Sequence, residues 1–233
     1  MINSFSKKTL LFLSAFICIA GCIVDVVLVY VFGNQIPGYN QLTNTMSSLG
    51  ESLSPVSGAV TLWSSILGFI FIFFGIGFRA VFKAYGKATL TASLLIIFYG
   101  IGEGIASGVF KADHIKGALT AAAIVHDLLG GIGVIAAMIL PLVMMKIFNR
   151  KSSPLFFRFS AIIWSIGLIA MLLFSLRFAT FEDSPIKIYK GLWQRIFLVD
   201  YYIYFAWIAI MMIKHINRES NRPIPFNNGT SSN

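Results

Sequence analysis

Six runs of apolar residues, each close to the length that crosses a bilayer, decide most of what this chain can become. They cover 10–32, 56–78, 88–110, 118–145, 159–176 and 192–213. A helix rises about 1.5 Å per residue, so about twenty residues cross a hydrocarbon core of about 30 Å. Inside lipid the backbone must satisfy its own hydrogen bonds, which leaves only helices and closed barrels. Unbroken runs of this length fit helices. The expected fold is all-α: a polytopic integral membrane protein, one bundle of six transmembrane helices. The composition agrees, with 57% hydrophobic and 12% charged residues, against about 25% charged in soluble domains. The expected organisation is a single membrane domain, 1–213, with an outer polar loop at 33–55. A polar tail at 214–233 holds two prolines and is expected to be disordered.

The net charge is +9, and the basic residues sit mainly at the ends of the apolar runs. Twelve Lys and Arg fall on the side of the two termini and six on the other. The positive-inside bias therefore puts both termini in the cytoplasm and segment 33–57 outside. The chain is expected in a cell membrane, the bacterial inner membrane in particular. The basic surplus meets anionic lipid headgroups, so membrane lipids are the expected partners. No nucleic-acid motif is present, and no nucleic-acid partner is expected. The tail's Asn228-Gly229-Thr230 fits the glycosylation pattern but falls on the cytoplasmic side.

Two cysteines, Cys18 and Cys22, lie within the first run. Their spacing is neither a zinc nor a redox pattern, and they read as small buried hydrophobes. Lys7-Lys8 followed by Ile19-Ala20-Gly21-Cys22 also resembles a lipoprotein signal, with Cys22 as the lipid acceptor. The apolar run continues past Cys22 as IVDVVLVYVF, which favours an ordinary first span.

Ionisable groups within spans are costly and usually face the bundle interior or a water-filled cavity. Here they share a depth. Asp25 and Glu103 each lie about seven residues before an outer end, His126 and Asp127 about eight after one, and Arg195 and Asp200 in the first turns of the last run. Seven residues of helix is roughly 10 Å. Four helices thus place ionisable groups in the outer third of the bilayer, which predicts a polar pocket open to the outside. Separate structural hydrogen-bonding groups are the alternative. The four carboxylates outnumber the cations, so some must be protonated, hydrated or facing a bound cation or cationic ligand.

In an enzyme His126 would be a general base or metal ligand, Asp127 or Glu103 would orient it, and Ser47 or Ser48 would be the nucleophile. Asp25, Asn44, Ser47, Ser48, Glu51, Arg195 and Asp200 are the expected ligand-binding groups. A zinc site built from His126, His114 and a carboxylate is a minor alternative, and no metal or cofactor is assigned. His126-Asp127 alone is too short to count as a motif. Residues 39–57, YNQLTNTMSSLGESLSPVS, contain no Lys or Arg and offer many neutral donors and acceptors. They read as a lid or wall over the polar layer, with MSSLGESLSPVSG as a short interfacial helix. Gly100, Gly104 and Gly108 form a small-residue stripe in the third run, with Glu103 off it. Gly130 and Gly131 lie one turn below His126 and Asp127.

Several pieces resemble one family. They are Pro37-Gly38-Tyr39, then Asn44-Thr45-Met46-Ser47-Ser48-Leu49-Gly50 with Pro55, His126, and Gly191-Leu192-Trp193-Gln194-Arg195-Ile196 with Trp207 beyond. Together they resemble the bacterial and archaeal six-helix membrane proteins grouped as domain of unknown function 998, over about residues 8–215. Where that family leads one to expect an acidic residue before the Arg, this chain has Gln194. The resemblance implies a six-helix bundle and no established activity. More weakly, NTMSSLG followed by Pro is similar to a pattern in the Frag1/DRAM/Sfk1 group, some of which are tied to lipid remodelling or phosphoinositide organisation.

Three functions compete. The first is binding or processing of a lipid or amphiphile from the outer leaflet. The second is a proton- or cation-coupled transporter, which with six spans would call for a homodimer. Against it, the inner half lacks a polar path and no inverted repeat or broken helix stands out. The third is an accessory protein that binds a partner within the membrane.

Overall fold

The computed structural model describes residues 4–115, 118–176 and 184–220. The tail beyond Ser220 with its Asn-Gly-Thr pattern, Lys116, Arg177 and the side chain of His114 lie outside what is described.

Six long helices follow the six apolar runs: α1 Ser4–Gly33, α2 Ser57–Val81, α3 Lys87–Val109, α4 Ala121–Ile147, α5 Pro154–Ser175 and α6 Lys190–Ser220. All six are long and apolar enough to cross a membrane. Local chemistry sets several of their ends. The Thr120 hydroxyl caps α4 by accepting the Ala123 N–H at 3.1 Å. Pro154 opens α5, where its missing N–H costs nothing. The tight turn between α2 and α3 passes through Gly86 at φ +69°, a conformation open to glycine. The last helix runs on through residues 214–220, which by polarity belong to the tail. Polarity rises at Lys214, but the segment contains no helix breaker before Pro223.

Each helix packs on the next, and α6 closes on α1, so the bundle is a ring in sequence order, with α2 also touching α6 across it. Alternating direction puts the 34–56 segment, the α3–α4 connection and the approach to α6 at one end. This is called the loop end. The termini and the two remaining connections lie at the other, the terminal end. Small elements decorate the loop end: a 3₁₀ helix at Met46–Gly50, a short antiparallel pair of His114–Ile115 with Ala118–Leu119, and a helical turn at Pro185–Ile188.

Large apolar side chains such as Phe16, Phe69, Ile135, Ile162 and Leu172 point outward around the ring, which suits a surface bathed in lipid tails. The interior is aromatic. Phe71, Tyr99 and Phe205 pack with ring centroids 4.8–5.2 Å apart, and Phe74 meets Phe205 edge-on. Toward the terminal end Phe82 contacts Phe78, Phe148 and His215, and Phe148 contacts Phe156. Both cysteines are buried in this core, and α1 runs unbroken through Cys22.

One helix departs from the expected regular pattern. Residues Gly100–Ala106 of α3 are wound as a π-helix, and the Ser107 N–H reaches back to the carbonyl of Gly102. Such segments often mark functional sites. Close packing on two sides accompanies it. Gly100 and Gly104 abut Gly68 of α2 and Gly108 abuts Ser64, while Gly102 abuts Gly133 and the Leu129 carbonyl of α4. A methyl group at any of these four α3 positions would collide with a neighbour. Glu103 therefore enters the bundle between two helices that approach it at backbone distance.

Candidate functional site

At the loop end a cavity of about 100 Å³ opens among α1, α2, α3, α4, α6 and the 3₁₀ helix. Asp25, Glu103, His126 and Ser47 all line it. Asp25 is 8% exposed and is doubly held: Trp63 Nε1 donates to its Oδ1 at 2.7 Å and the Tyr202 hydroxyl to its Oδ2 at 2.9 Å. An indole N–H can only donate, so Trp63 makes Asp25 an acceptor. This one carboxylate ties α1 to α2 and to α6. Glu103 lines the wall beside Tyr99 and Gly104, and one of its oxygens points toward Gly130 of α4.

His126 is 7% exposed. Its Nδ1 lies 2.9 Å from the Phe110 carbonyl and its Nε2 3.3 Å from Ser47 Oγ. A carbonyl only accepts, so Nδ1 carries a proton. In the neutral ring Nε2 is then the acceptor and the Ser47 hydroxyl the donor. That is the arrangement in which a histidine takes a proton from a serine, at a loose distance for the step.

The 3₁₀ helix is the roof. Met46, Ser47, Leu49 and Gly50 face the cavity, and Leu49 is 2% exposed. Three ties hold the roof segment and the loops on either side of it. The Met46 N–H donates to Gln194 Oε1 at 2.7 Å. Here Gln194 supplies the acceptor that an acidic residue would also have supplied, so the neutral side chain keeps the contact. Arg195 donates to the carbonyls of Asn44 and Gly191, to the Tyr39 hydroxyl and to Gln41 Oε1, at 2.6–3.0 Å. Burial raises the Tyr39 phenol above its ordinary value, and the Arg195 charge opposes that rise. On the other side Asp113 accepts both the N–H and the hydroxyl of Ser52. Lys111 reaches back to Thr61 Oγ1 and the Ser57 carbonyl at the start of α2. Burial pulls its ammonium below the ordinary lysine value, with the Asp113 charge acting the other way.

The remaining expected site residues lie elsewhere. Asp127 is exposed on the outer face of α4, one residue and about 100° of helix from His126. Asn44 is turned into the loop, where its Oδ1 accepts the Asn40 N–H and its own carbonyl accepts from Arg195. The Ser48 hydroxyl donates to the Thr45 carbonyl. Glu51 is half-buried beside the cavity but does not line it. Arg195 holds the loop instead of facing the cavity. Asp200 is buried in α6 outside the cavity, with Oδ2 unpartnered among the described residues. Among the described residues no three His, Cys, Asp or Glu converge as metal ligands.

Sequence reasoning did not name Trp63, Tyr99, Tyr202 or Gln194 as site residues, although Gln194 stood out in the Gly191–Ile196 segment; all four line the cavity. A signal existed for two of them. A Trp or Tyr buried in a span needs a partner for its polar atom, and Asp25 was the acceptor at the right depth.

A ring of six spanning helices with a polar cavity under a tethered roof defines a multi-pass membrane protein with one candidate site at its loop end. The chain belongs to the family described as protein of unknown function (DUF998), whose model matches residues 19–213. The weaker likeness to the Frag1/DRAM/Sfk1 group is not shown. No curated protein and no solved structure matches it.

Proposed function

We propose that this protein holds the polar head of a lipid or other amphiphile in the loop-end cavity, entered from the outer leaflet. The observation that carries the reading is the convergence of Asp25, Ser47, Glu103 and His126 on one roofed cavity. The Lys and Arg asymmetry supports placing that end outside. The aromatic layer of Phe71, Phe74, Tyr99 and Phe205 fills the space beneath the cavity. That favours a binding site with a floor over a transport path.

The test is a native mass spectrum of the protein released from mild detergent, compared with Glu103→Gln and His126→Ala. The expected result is a lipid-sized adduct on the wild type that is lost or sharply reduced in both variants. A bare mass in all three overturns the reading. The Ser47–His126 pair favours a second reading in which the bound lipid is processed. An acyl-sized covalent mass on the wild type, absent from Ser47→Ala, would support it.

A further inference from the structure

We infer that the head group this cavity accepts is a cation, an amine or quaternary ammonium. The inference rests on the reading of the cavity as a head-group site and names the chemistry it selects. It comes from asking which hydrogen-bonding atoms at the cavity are already engaged. The N–H of Met46 is given to Gln194, the indole N–H of Trp63 and the hydroxyl of Tyr202 to Asp25, and the Nδ1 proton of His126 to Phe110. An anionic head needs donors; these four point elsewhere, and the donors that remain at the cavity, such as the Gln194 amide and the Ser64 hydroxyl, carry no charge. Arg195 and Lys111, two cations at the same end, are bound to carbonyl and hydroxyl oxygens of the loops and of α2. No Lys or Arg lines the cavity among the described residues.

The groups that do face the cavity suit a positive charge. Two carboxylates, Asp25 of α1 and Glu103 of α3, line it. Four aromatic side chains, Trp63, Phe71, Tyr99 and Tyr202, line it with them. Phe71 stands edge-on to Tyr99 at 4.9 Å and tilted to Tyr202 at 6.2 Å, so three of these rings pack on one another at the cavity. Aromatic faces beside a carboxylate attract ammonium groups, more strongly where water is excluded. A quaternary ammonium needs no hydrogen-bond acceptor, so it tolerates the fact that Asp25 already accepts two bonds.

The experiment uses the whole protein in an uncharged maltoside detergent. An equimolar mixture of lysophosphatidylcholine and lysophosphatidylglycerol of one chain length is added, and the adducts are counted by native mass spectrometry. The two probes share chain and phosphate and differ only in the terminal group. The expected result is a preference for the choline lipid on the order of tenfold, the effect of one desolvated cation contact. Glu103→Gln brings the ratio toward parity, and Glu103→Asp keeps most of it. Parity or a glycerol preference in the wild type overturns the inference even if no variant folds. Retention of both probes at parity leaves the head-group reading standing, whereas retention of neither overturns that reading as well. A final arm adds free choline. Displacement of the lipid by choline alone assigns the ammonium itself as ligand, and displacement only by chain-bearing choline assigns the lipid.

Discussion

The two ends of this bundle are built from different chemistry by the same six helices. In the loop-end half the interior carries Asp25, Glu103 and His126 around a cavity, and polar loops are strapped over it. In the terminal-end half the interior is close-packed aromatic: Phe74, Phe78, Phe82, Phe148 and Phe156, with a few small hydroxyls turned to nearby carbonyls. In lipid there is little hydrophobic drive for one helix to prefer another, so close packing and interhelical hydrogen bonds do the holding. The aromatic half supplies packing and can be rigid. The polar half sets ionisable side chains around a small cavity inside the bundle.

That contrast predicts where stability resides. Phe78 is fully buried and packs on Phe82, itself part of the Phe148 and His215 cluster. Phe78→Ala should cost about 3–5 kcal/mol, the range for a large aromatic truncated in a core. In detergent its drop in thermal midpoint should exceed that of any substitution at the roof or on the outer face of α4. It should leave the ratio of bound to bare protein intact below the midpoint. A drop in lipid retention larger than the loss of folded protein would mean that the two halves are not separable.

The same contrast explains how far the sequence could be read. Span number and position follow from length and hydropathy, because only about twenty apolar residues satisfy the bilayer. The end of α6 was hidden, because polarity at Lys214 stops a span without stopping a helix. The π-wound segment was hidden too. It is a backbone choice accompanying contact with Gly68 on one side and Gly133 on the other, and no single-helix pattern contains both. For the site, depth was legible and direction was not. Asp25, Glu103 and His126 share depth and also face the cavity, whereas Asp127 and Asp200 share only the depth. Directions were lost because the hydrophobic faces are blurred: a spanning helix is apolar toward lipid and toward its neighbours alike.

A smaller effect is expected at the roof. Arg195 gives four hydrogen bonds and stacks over Tyr39 at 5.8 Å, and none of its partners is a carboxylate. Its fork fits these spread acceptors in a way that a point charge does not. Arg195→Lys should therefore lower stability by about 1–2 kcal/mol, a part of what its charged hydrogen bonds are worth. Hydrogen exchange over residues 39–50 should rise well before exchange in α2 or α4 does. Uniform loosening of the whole bundle would place Arg195 in the framework and not in the strap.

The smallest effect is the one that discriminates best. His126 and Asp127 are adjacent in the chain, yet one is buried at the cavity and the other lies on the exposed face of α4. Asp127→Asn keeps the shape and removes the charge. Because the side chain does not line the cavity and a charge within a span is costly, the change should leave stability unchanged or slightly raised. Lipid retention should match the wild type, while His126→Ala in the same preparation loses it. Equal losses from both substitutions would mean that the polar layer acts through its summed charge. The division between cavity-facing and outward-facing groups would then carry no functional meaning. A silent Asp127 beside a sensitive His126 would confine the site to one face of α4, since both residues sit at the same depth and only their direction differs.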